Sequence, residues 1–308
     1  MKRFGIILWS AGCLALAPAA TAEEIRWKLA EGEQLDVTLN QESESTAVCQ
    51  TIERKTSTEI QLELEWKVTA AKDDLITLEQ TIRRIQMRLQ TPTADRSGQV
   101  DLDTSANSEK KPRPGVEKSV LKDLQSLVGV KAIVEMNTRG EISNVTVAES
   151  DLEKLRQAGS STPLLKMISA SGLTDLFRQS SFVLPEKSVE AGFEWTNERK
   201  TAGPFGPLAM NETFRYDGEK EVDGRKLHLF SLKSKVDILP ELPKDADPVD
   251  PPPELKQLTG DGLFSFDPGT GVFSKSSNST TLKSTKRFRD LIIDTTITTN
   301  SSMSIQRR

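Results

Sequence analysis

Histidine, the side chain best suited to proton transfer near neutral pH, occurs once in the 308 residues, as His228. It lies between Leu227 and Leu229 in an alternating run that is typical of a strand. A general base needs a positioned partner, and the sequence identifies none. We therefore expect a hydrogen-bonding role for His228, at the surface or between strands, rather than catalysis.

Carboxylates are the other side chains with chemical potential. The best acidic cluster lies in a proline-rich stretch and comprises Asp245, Asp247, Asp250 and Glu254. Several carboxylate oxygens around one point suit calcium, but this spacing differs from that of an EF-hand loop. Pro248 and the run 251–253 favour an extended chain that separates the carboxylates. We expect a solvated linker here, and Asp101 and Asp103 in another polar stretch are weaker candidates.

Recognised catalytic and cofactor motifs are missing from the sequence. It contains no G-x-S-x-G elbow, Walker loop, H-E-x-x-H pair or C-x-x-C pair. We predict no catalytic, cofactor-binding or metal-binding residues, and a function other than catalysis. Paired carboxylates of a hydrolase are recognised by their separation in space, so a hydrolase with an unrecognised carboxylate site is kept as an alternative.

The charge balance excludes several classes of protein. The chain has 41 Lys and Arg against 45 Asp and Glu, and 36% of its residues are hydrophobic. This is too balanced for a nucleic-acid binder and too apolar for a wholly disordered chain. Basic runs occur at Arg83, Arg84 and Arg88 and again at Lys283, Lys286, Arg287 and Arg289. We interpret them as solvated sheet faces, because salt screens such patches over about 10 Å.

Residues 1–22 have the three-part pattern of a secretory signal peptide. Lys2 and Arg3 precede an apolar run that ends in small residues. We expect cleavage near Ala22 and an exported protein, periplasmic or secreted, without a transmembrane segment in the mature chain. Whether Cys13 is lipidated stays open.

Alternation of apolar and polar residues predicts a mainly β (α+β) fold. The clearest case is residues 60–68, in which every second residue is apolar. The parity of the apolar residues changes near Arg83 and Arg84, which predicts a β-bulge in a long strand. The polar stretch 91–115 is expected to be an exposed loop. These features define a first β-rich unit over residues 23–149.

Helical spacing appears at two places between the strand patterns. Apolar residues within 117–128 predict one helix. A helical segment is expected at 150–183, where an apolar stripe extends over 164–177. Strand patterns return in a second β-rich unit, 184–308, interrupted by a Pro- and Asp-rich loop at 240–253.

The two β-rich units share a pattern of turn residues. A strand, a turn at Asp73 and another strand match a strand, a turn at Asp223 and another strand, offset by 150 residues. A second hairpin with Gly140 matches one with Gly271. Asp and Gly recur where hairpins close because both tolerate positive φ. We predict two similar antiparallel curved-sheet units with a few short helices between and against them.

The run 184–195 contains a V-x-x-G-x-x-W core. This run, the hairpin 137–143, and Trp27 and Lys28 with Gly32 resemble an exported family of unknown function that is abundant in planctomycete bacteria. The resemblance spans nearly the whole mature chain. It implies export and a β-rich fold, and it implies no activity.

Two hypotheses from different functional classes follow. The first is an exported, non-catalytic binding or structural protein of the bacterial cell envelope, which meets an unknown envelope protein through strand edges or acidic loops. The second is a periplasmic carrier of an apolar ligand or lipid. This carrier requires a continuous apolar cavity between the curved sheet and the helices of 164–177. The sequence indicates neither the ligand nor the oligomeric state, and it predicts no cofactor and no nucleic-acid partner.

Overall fold

The computed structural model describes residues 24–92, 97–105, 116–161, 182–203, 206–238, 254–288 and 291–308. The strands in these ranges are β1 (Gln34–Cys49), β2 (Ile52–Lys72), β3 (Leu75–Pro92), β4 (Ser97–Asp103), β5 (Lys131–Asn137), β6 (Ile142–Val147), β7 (Glu194–Gly203), β8 (Gly206–Val222), β9 (Arg225–Ile238), β10 (Glu254–Asp267), β11 (Val272–Phe288) and β12 (Leu291–Arg307). The helices are α1 (Val116–Leu127) and α2 (Glu149–Ser161). The predicted signal peptide, the apolar stripe 164–177 and the predicted loop 240–253 lie outside the described residues.

The described strands form one open antiparallel sheet, which confirms the predicted mainly β fold. The strand order is β6-β5-β3-β2-β1-β12-β11-β10-β9-β8-β7, and β4 pairs with β3. Strand β1 pairs with β12 from Leu35 opposite Arg307 to Cys49 opposite Ile293. The strands of the two predicted β-rich units therefore meet in the middle of a single sheet.

The sheet is strongly curved around Phe182. Rings on five successive strands, β7 to β11, have centroids within 5.8 Å of the Phe182 ring: Trp195, Phe214, Phe230, Phe264 and Phe273. Five flat strands at a spacing of about 4.8 Å would span about 19 Å, too far for one ring to touch them all. We call the face that contacts Phe182 the inner face, and the opposite face the outer face.

Two segments close one end of the curved sheet, residues 24–33 and 182–192, which we call the end plug. Within it, Trp27 is 6% and Phe182 is 2% exposed. The backbone N–H of Trp27 donates to the Thr138 carbonyl oxygen at 2.8 Å, and the backbone N–H of Lys28 donates to the Gly271 carbonyl oxygen at 2.9 Å. The end plug is thus hydrogen-bonded to the hairpins of Gly140 and Gly271, which share a pattern of turn residues in the sequence.

The two described helices pack against the hydrophobic core of the sheet. Leu124 and Leu127 of α1 are fully buried, and Leu155 of α2 is 1% exposed. All three belong to the same hydrophobic core as the sheet and the plug. The carrier hypothesis required a cavity under the helices of 164–177, and this segment lies outside the described residues.

Local details of the first unit confirm one prediction and correct another. The register of β2 and β3 shifts between the pairs Glu63–Arg84 and Leu64–Ile82, which is the predicted bulge at Arg83. The prediction of a loop over all of 91–115 is wrong, because β4 lies inside it. Leu102 of β4 is 3% exposed, Val100 packs against the core, and all seven residues of β4 pair with β3.

Candidate functional site

The inner face of the sheet holds an open cavity of about 360 Å³ beyond the aromatic core. Its walls come from β1 and from β8 to β12. The apolar lining residues are Leu39, Met210, Leu232, Leu258, Leu282, Ile297 and Met303. The polar lining residues include Glu212, Ser234, Asn278, Thr280, Thr299 and Ser301. The cavity is therefore amphipathic.

Strand register explains how polar and apolar side chains are separated in this cavity. Thr299, Thr280, Gly260, Ser234 and Glu212 are paired one to the next across β12, β11, β10, β9 and β8. We call this set the polar row. Because side chains on one face recur every second residue, Leu232 and Val236 of β9 lie on the inner face on either side of Ser234, and they belong to two separate apolar patches.

The near apolar patch lies toward the end plug and includes Phe264, Phe230 and Met303. The far apolar patch consists of Met210, Val236, Leu255, Leu258 and Leu282, with Ile297 paired to Leu282. Val236 and Leu255 are buried there, whereas Leu258 and Leu282 are half-buried. The polar row thus crosses the cavity between two apolar surfaces.

Two glycines of β10 make room for polar side chains to lean across that strand. A Cβ at Gly260 would lie 2.7 Å from Ser234 Oγ and 2.9 Å from the Ser279 carbonyl oxygen. A Cβ at Gly262 would lie 2.1 Å from Asn278 Oδ1. Any larger residue would displace those groups, since real Cβ contacts are not this short.

Glu212 supplies the carboxyl group of the polar row and is 6% exposed. Its Oε2 accepts a hydrogen bond of 3.3 Å from Asn197 Nδ2 on the edge strand β7. A buried carboxyl group is tolerated where donors surround it. The cavity therefore has an acidic, hydrogen-bonded group at one end of its polar row.

A second, larger hollow of about 800 Å³ lies on the outer face, across β4, β3, β2, β1, β12, β11 and β10. We call it the outer groove. Most of its lining residues are polar or charged, with Ser277, Ser279, Asn300 and Ser302 along one part, and the exposed Leu263 lies among them. Asn278 and Asp261 border both hollows, which shows that they occupy the two faces of the same part of the sheet.

Ion pairs neutralise the arginines of the outer groove. Arg84 donates two hydrogen bonds to Asp103, at 2.9 Å and 2.6 Å, and one to Glu63 at 3.1 Å. Arg88 donates to Asp101 at 2.8 Å and to Glu59 at 3.0 Å. Counting its lining residues, the groove has five carboxylates against two guanidinium groups, a formal charge of −3.

These pairs shift the acid–base properties of the groove. Hydrogen bonds from Arg84 hold the pKa of Asp103 far below its usual range, against the opposing effect of burial. The same hydrogen bonds raise the pKa of Arg84. Both groups therefore stay charged at any physiological pH, which excludes Asp103 as a general acid or base.

The residues singled out in the sequence do not assemble into a catalytic site. His228 is fully buried and shares a hydrogen bond of 2.7 Å with the Tyr216 hydroxyl on the adjacent strand, so the interstrand role is confirmed and the surface role is wrong. Asp101 and Asp103 bind arginines rather than a shared cation. Glu254 pairs with Lys256 at 2.5 Å.

The remaining acidic and basic residues singled out in the sequence lie at separate places. Asp245, Asp247, Asp250 and Arg289 lie outside the described residues. Arg83 forms an ion pair with Glu65. Lys283, Lys286 and Arg287 lie on β11, where they alternate between the two faces. The described residues contain no group of three or more His, Cys, Asp or Glu side chains arranged to hold a metal ion.

Sequence reasoning missed Asn278, Glu212 and the two glycines of β10. All four lie at inner-face positions of their strands, and none of them is an apolar side chain. The spacing Gly260-x-Gly262 inside a strand was a usable signal, because glycine in a strand often marks a close approach of another group. Their assembly depends on the pairing of four strands, β8 to β11, which spacing alone does not reveal.

None of the described helices is both long and apolar enough to cross a membrane. This finding agrees with the helices seen, because α1 and α2 have 12 and 13 residues. About 20 residues are needed to span a bilayer as a helix.

Residues 73–223, just under half of the chain, match a family of unknown function, DUF6263. The match includes the run 184–195 on which the sequence resemblance rested. In the structure, Val189 of that run is 3% exposed, and Trp195 stacks on Phe214 with centroids 5.4 Å apart. The motif residues therefore lie just before and at the start of β7, where Val189 and Trp195 pack against other apolar residues. A search of curated proteins gave no significant match.

Solved structures show a shared fold with lipovitellin. One structure, described as lipid–protein interactions in lipovitellin, aligns with a TM-score of 0.51 and 11% identity over 91% of this chain. The chain spans about a quarter of that lipovitellin chain, 26% of its length. At this identity the likeness concerns the fold alone. The CymD monoaromatic hydrocarbon channel aligns over 90% of this chain and 89% of its own, with 8% identity and a TM-score of 0.19, too low to indicate a common fold.

Proposed function

We propose that this chain is an exported, non-catalytic protein that binds an apolar, lipid-like ligand in the inner-face cavity. The observation that supports this most directly is the far apolar patch, where Leu258, Leu282 and Met210 remain half-buried around an open cavity. Exposed apolar surface in a concave site is stabilised when a ligand covers it. The cavity volume of about 360 Å³ is within the usual range for small-molecule sites.

The fold similarity supports the same proposal. Lipovitellin, with which this sheet shares its fold, is described by its lipid–protein interactions. A strongly curved antiparallel sheet offers one concave face on which an apolar ligand displaces water. In our proposal the present chain uses its inner face in that way.

Export and the lack of catalysis are the remaining parts of the proposal. The pattern of residues 1–22 supports export to the periplasm or beyond. The charged groups with strongly shifted pKa values, such as Asp103 and Arg84, line the outer groove but are hydrogen-bonded to each other. This arrangement supports a structural role for those groups and a binding role for the protein.

A neutral fluorescent probe tests the ligand-binding part. N-phenyl-1-naphthylamine, which brightens in apolar surroundings, is titrated into the full-length protein and two variants. Ile297→Trp fills the cavity, whereas Thr298→Trp places the same bulk on the outer face of the same strand. We expect saturable binding to the wild type and to Thr298→Trp, and at least a tenfold loss with Ile297→Trp. Equal binding to both variants contradicts the proposal.

A second candidate function is docking of a cationic surface of a cell-envelope protein in the outer groove. The formal charge of −3 among its lining residues favours such a partner over an anionic one. A lysine-rich peptide should bind in low salt and dissociate as salt rises. Reversing Glu42 and Asp261 to Lys should abolish this binding, while Glu221→Lys on β8, away from the groove, should not. Binding that survives the double reversal contradicts this candidate.

A further inference from the structure

We propose that the inner cavity selects a single-chain amphiphile whose polar group donates hydrogen bonds and carries no negative charge. This inference rests on the proposed function and adds the chemical class of the ligand. It is carried by one juxtaposition: the polar row and the Asn278 amide cross the cavity between the near and far apolar patches.

Asn278 provides an acceptor that the described residues leave without a donor. Its Oδ1 is enclosed, and none of the described residues donates a hydrogen bond to it. The side chain leans over Gly262 and borders the cavity. An enclosed acceptor without a donor costs free energy, and a ligand hydroxyl or amine placed beside it removes that cost.

The charges around the cavity disfavour an anionic ligand. Among the described lining residues one carboxyl group, that of Glu212, lies on the inner face, and there is no Lys or Arg. Asp261 lies between Gly260 and Gly262, so its side chain is on the outer face. A carboxylate or phosphate headgroup would lose its hydration without gaining a counter-charge. A hydroxyl group needs no counter-charge, and an ammonium group meets no positively charged side chain among the described lining residues.

The remaining polar side chains suit such a donor. Ser234, Thr280 and Thr299 of the polar row present hydroxyl groups, each of which both donates and accepts. Thr299 already bonds to Ser43 through its hydroxyl at 3.0 Å. A ligand hydroxyl or amine can therefore reach several acceptors, while its chain lies on the far apolar patch.

The size of the cavity limits the ligand to one chain. A water occupies about 30 Å³ in the liquid, so a volume of about 360 Å³ corresponds to roughly a dozen non-hydrogen atoms. That is the size of one medium-length alkyl chain with a small head. Two acyl chains with a phosphate headgroup exceed it.

Three probes that share one chain separate the possibilities. 1-Decanol, decylamine and decanoate are titrated against the full-length protein at pH 8, and each is scored by its displacement of N-phenyl-1-naphthylamine. We expect the alcohol and the amine to displace the fluorophore at least tenfold more effectively than decanoate. Equal displacement by decanoate overturns the inference on ligand class and leaves apolar binding intact. If the fluorophore itself does not bind, the proposed function fails instead.

A variant isolates the role of the amide acceptor. Asn278→Leu removes Oδ1 with little change in volume, and Asn300→Leu makes the same change on the outer face of the neighbouring strand. We expect Asn278→Leu to bind the fluorophore at least as well as the wild type and to lose about tenfold in affinity for 1-decanol. Asn300→Leu should keep the wild-type preference. Unchanged decanol affinity in Asn278→Leu overturns the assignment of Asn278 as the acceptor.

Discussion

The side-chain amide of Asn278 occupies the space above Gly262 on the neighbouring strand, and a Cβ at residue 262 would come within 2.1 Å of Asn278 Oδ1. The absence of a side chain at Gly262 is therefore what allows an inner-face asparagine to lie flat across β10. This contact fixes one acceptor at the edge of the cavity. It also means that even a methyl group added at residue 262 would clash with the Asn278 amide.

Gly262→Ala should destabilise the protein by about 1–3 kcal/mol, the usual cost of overpacking a filled site. The added methyl group forces the Asn278 amide to move. Urea unfolding followed by circular dichroism measures the change in the free energy of unfolding.

Removing the amide should relieve most of that cost. In the background of Asn278→Ala, the next contact of the new Cβ is Ser277 O at 3.2 Å, which small shifts can accommodate. We expect a coupling energy of about 1 kcal/mol between the two substitutions. Additive effects would show that the two residues do not compete for this space.

A single ordered water should occupy a small cavity behind the end plug. The cavity has a volume of about 30 Å³ and is lined by Trp27, Trp66 and Gln80, among others. The indole N–H groups of both tryptophans and Gln80 Oε1 are buried without a hydrogen-bond partner among the described residues. One water accepting from an indole and donating to the amide oxygen fits both the volume and the need for partners.

A crystal structure at high resolution tests this prediction by electron density between the three side chains. Gln80→Met should remove an acceptor, lower the occupancy of the water and change stability by less than about 1.5 kcal/mol, since the volume is nearly conserved. Density for a side-chain rearrangement that pairs the indoles directly would contradict it.

Phe182 should be among the most costly residues to truncate. It is 2% exposed and its ring contacts aromatic rings on β7 to β11. Phe182→Ala is expected to cost about 3–5 kcal/mol. Phe193→Ala, at a ring that is 44% exposed, should cost less than about 1 kcal/mol. Similar losses of stability in the two variants would refute the central position of Phe182.

Lowering the pH should reduce the stability of the folded protein because Asp103 becomes protonated. Hydrogen bonds from Arg84 lower the pKa of Asp103 in the folded state relative to the unfolded value, near 3.9. The resulting stabilisation is complete above the unfolded pKa and is lost as the pH falls through the folded pKa. The side chain of Asp103 is 11% exposed but that of Arg84 is 33% exposed, so solvent reduces the effect to about 1–2 kcal/mol.

Asp103→Asn measures this contribution. The wild type should lose more stability between pH 7 and pH 3 than the variant does, as followed by urea unfolding at each pH. Glu221→Gln, an exposed change on β8, serves as the control and should leave the pH dependence unaltered. An Asp103→Asn variant with the pH dependence of the wild type would contradict the assigned pair.

Much of the fold follows from the sequence because its signals are local. Alternation gives the strands, the change of parity at Arg83 gives a bulge, and Asp73 and Asp223 both adopt positive φ, 54° and 51°, at equivalent turns. The single sheet was not predictable, since the pairing of β1 with β12 joins residues at opposite ends of the chain. Alternation says which face a residue occupies but not which strand lies beside it.

The candidate site was out of reach for the same reason. Glu212, Ser234, Gly260 and Thr280 come from four strands and meet only because three registers are fixed at once. Strand β4 was missed because its sequence, with Asp101 and Asp103, is as polar as a loop. Its acidic residues are paired with Arg84 and Arg88 of β3, partners that no local pattern indicates.

The crystal structure of the protein with 1-decanol bound is the most direct test of the central claim. Our account places the alkyl chain against Leu258, Leu282 and Ile297, with the hydroxyl group within hydrogen-bond distance of Asn278 Oδ1. Ligand density on the outer face, or an inner cavity that stays free of ligand at saturating decanol, would contradict it.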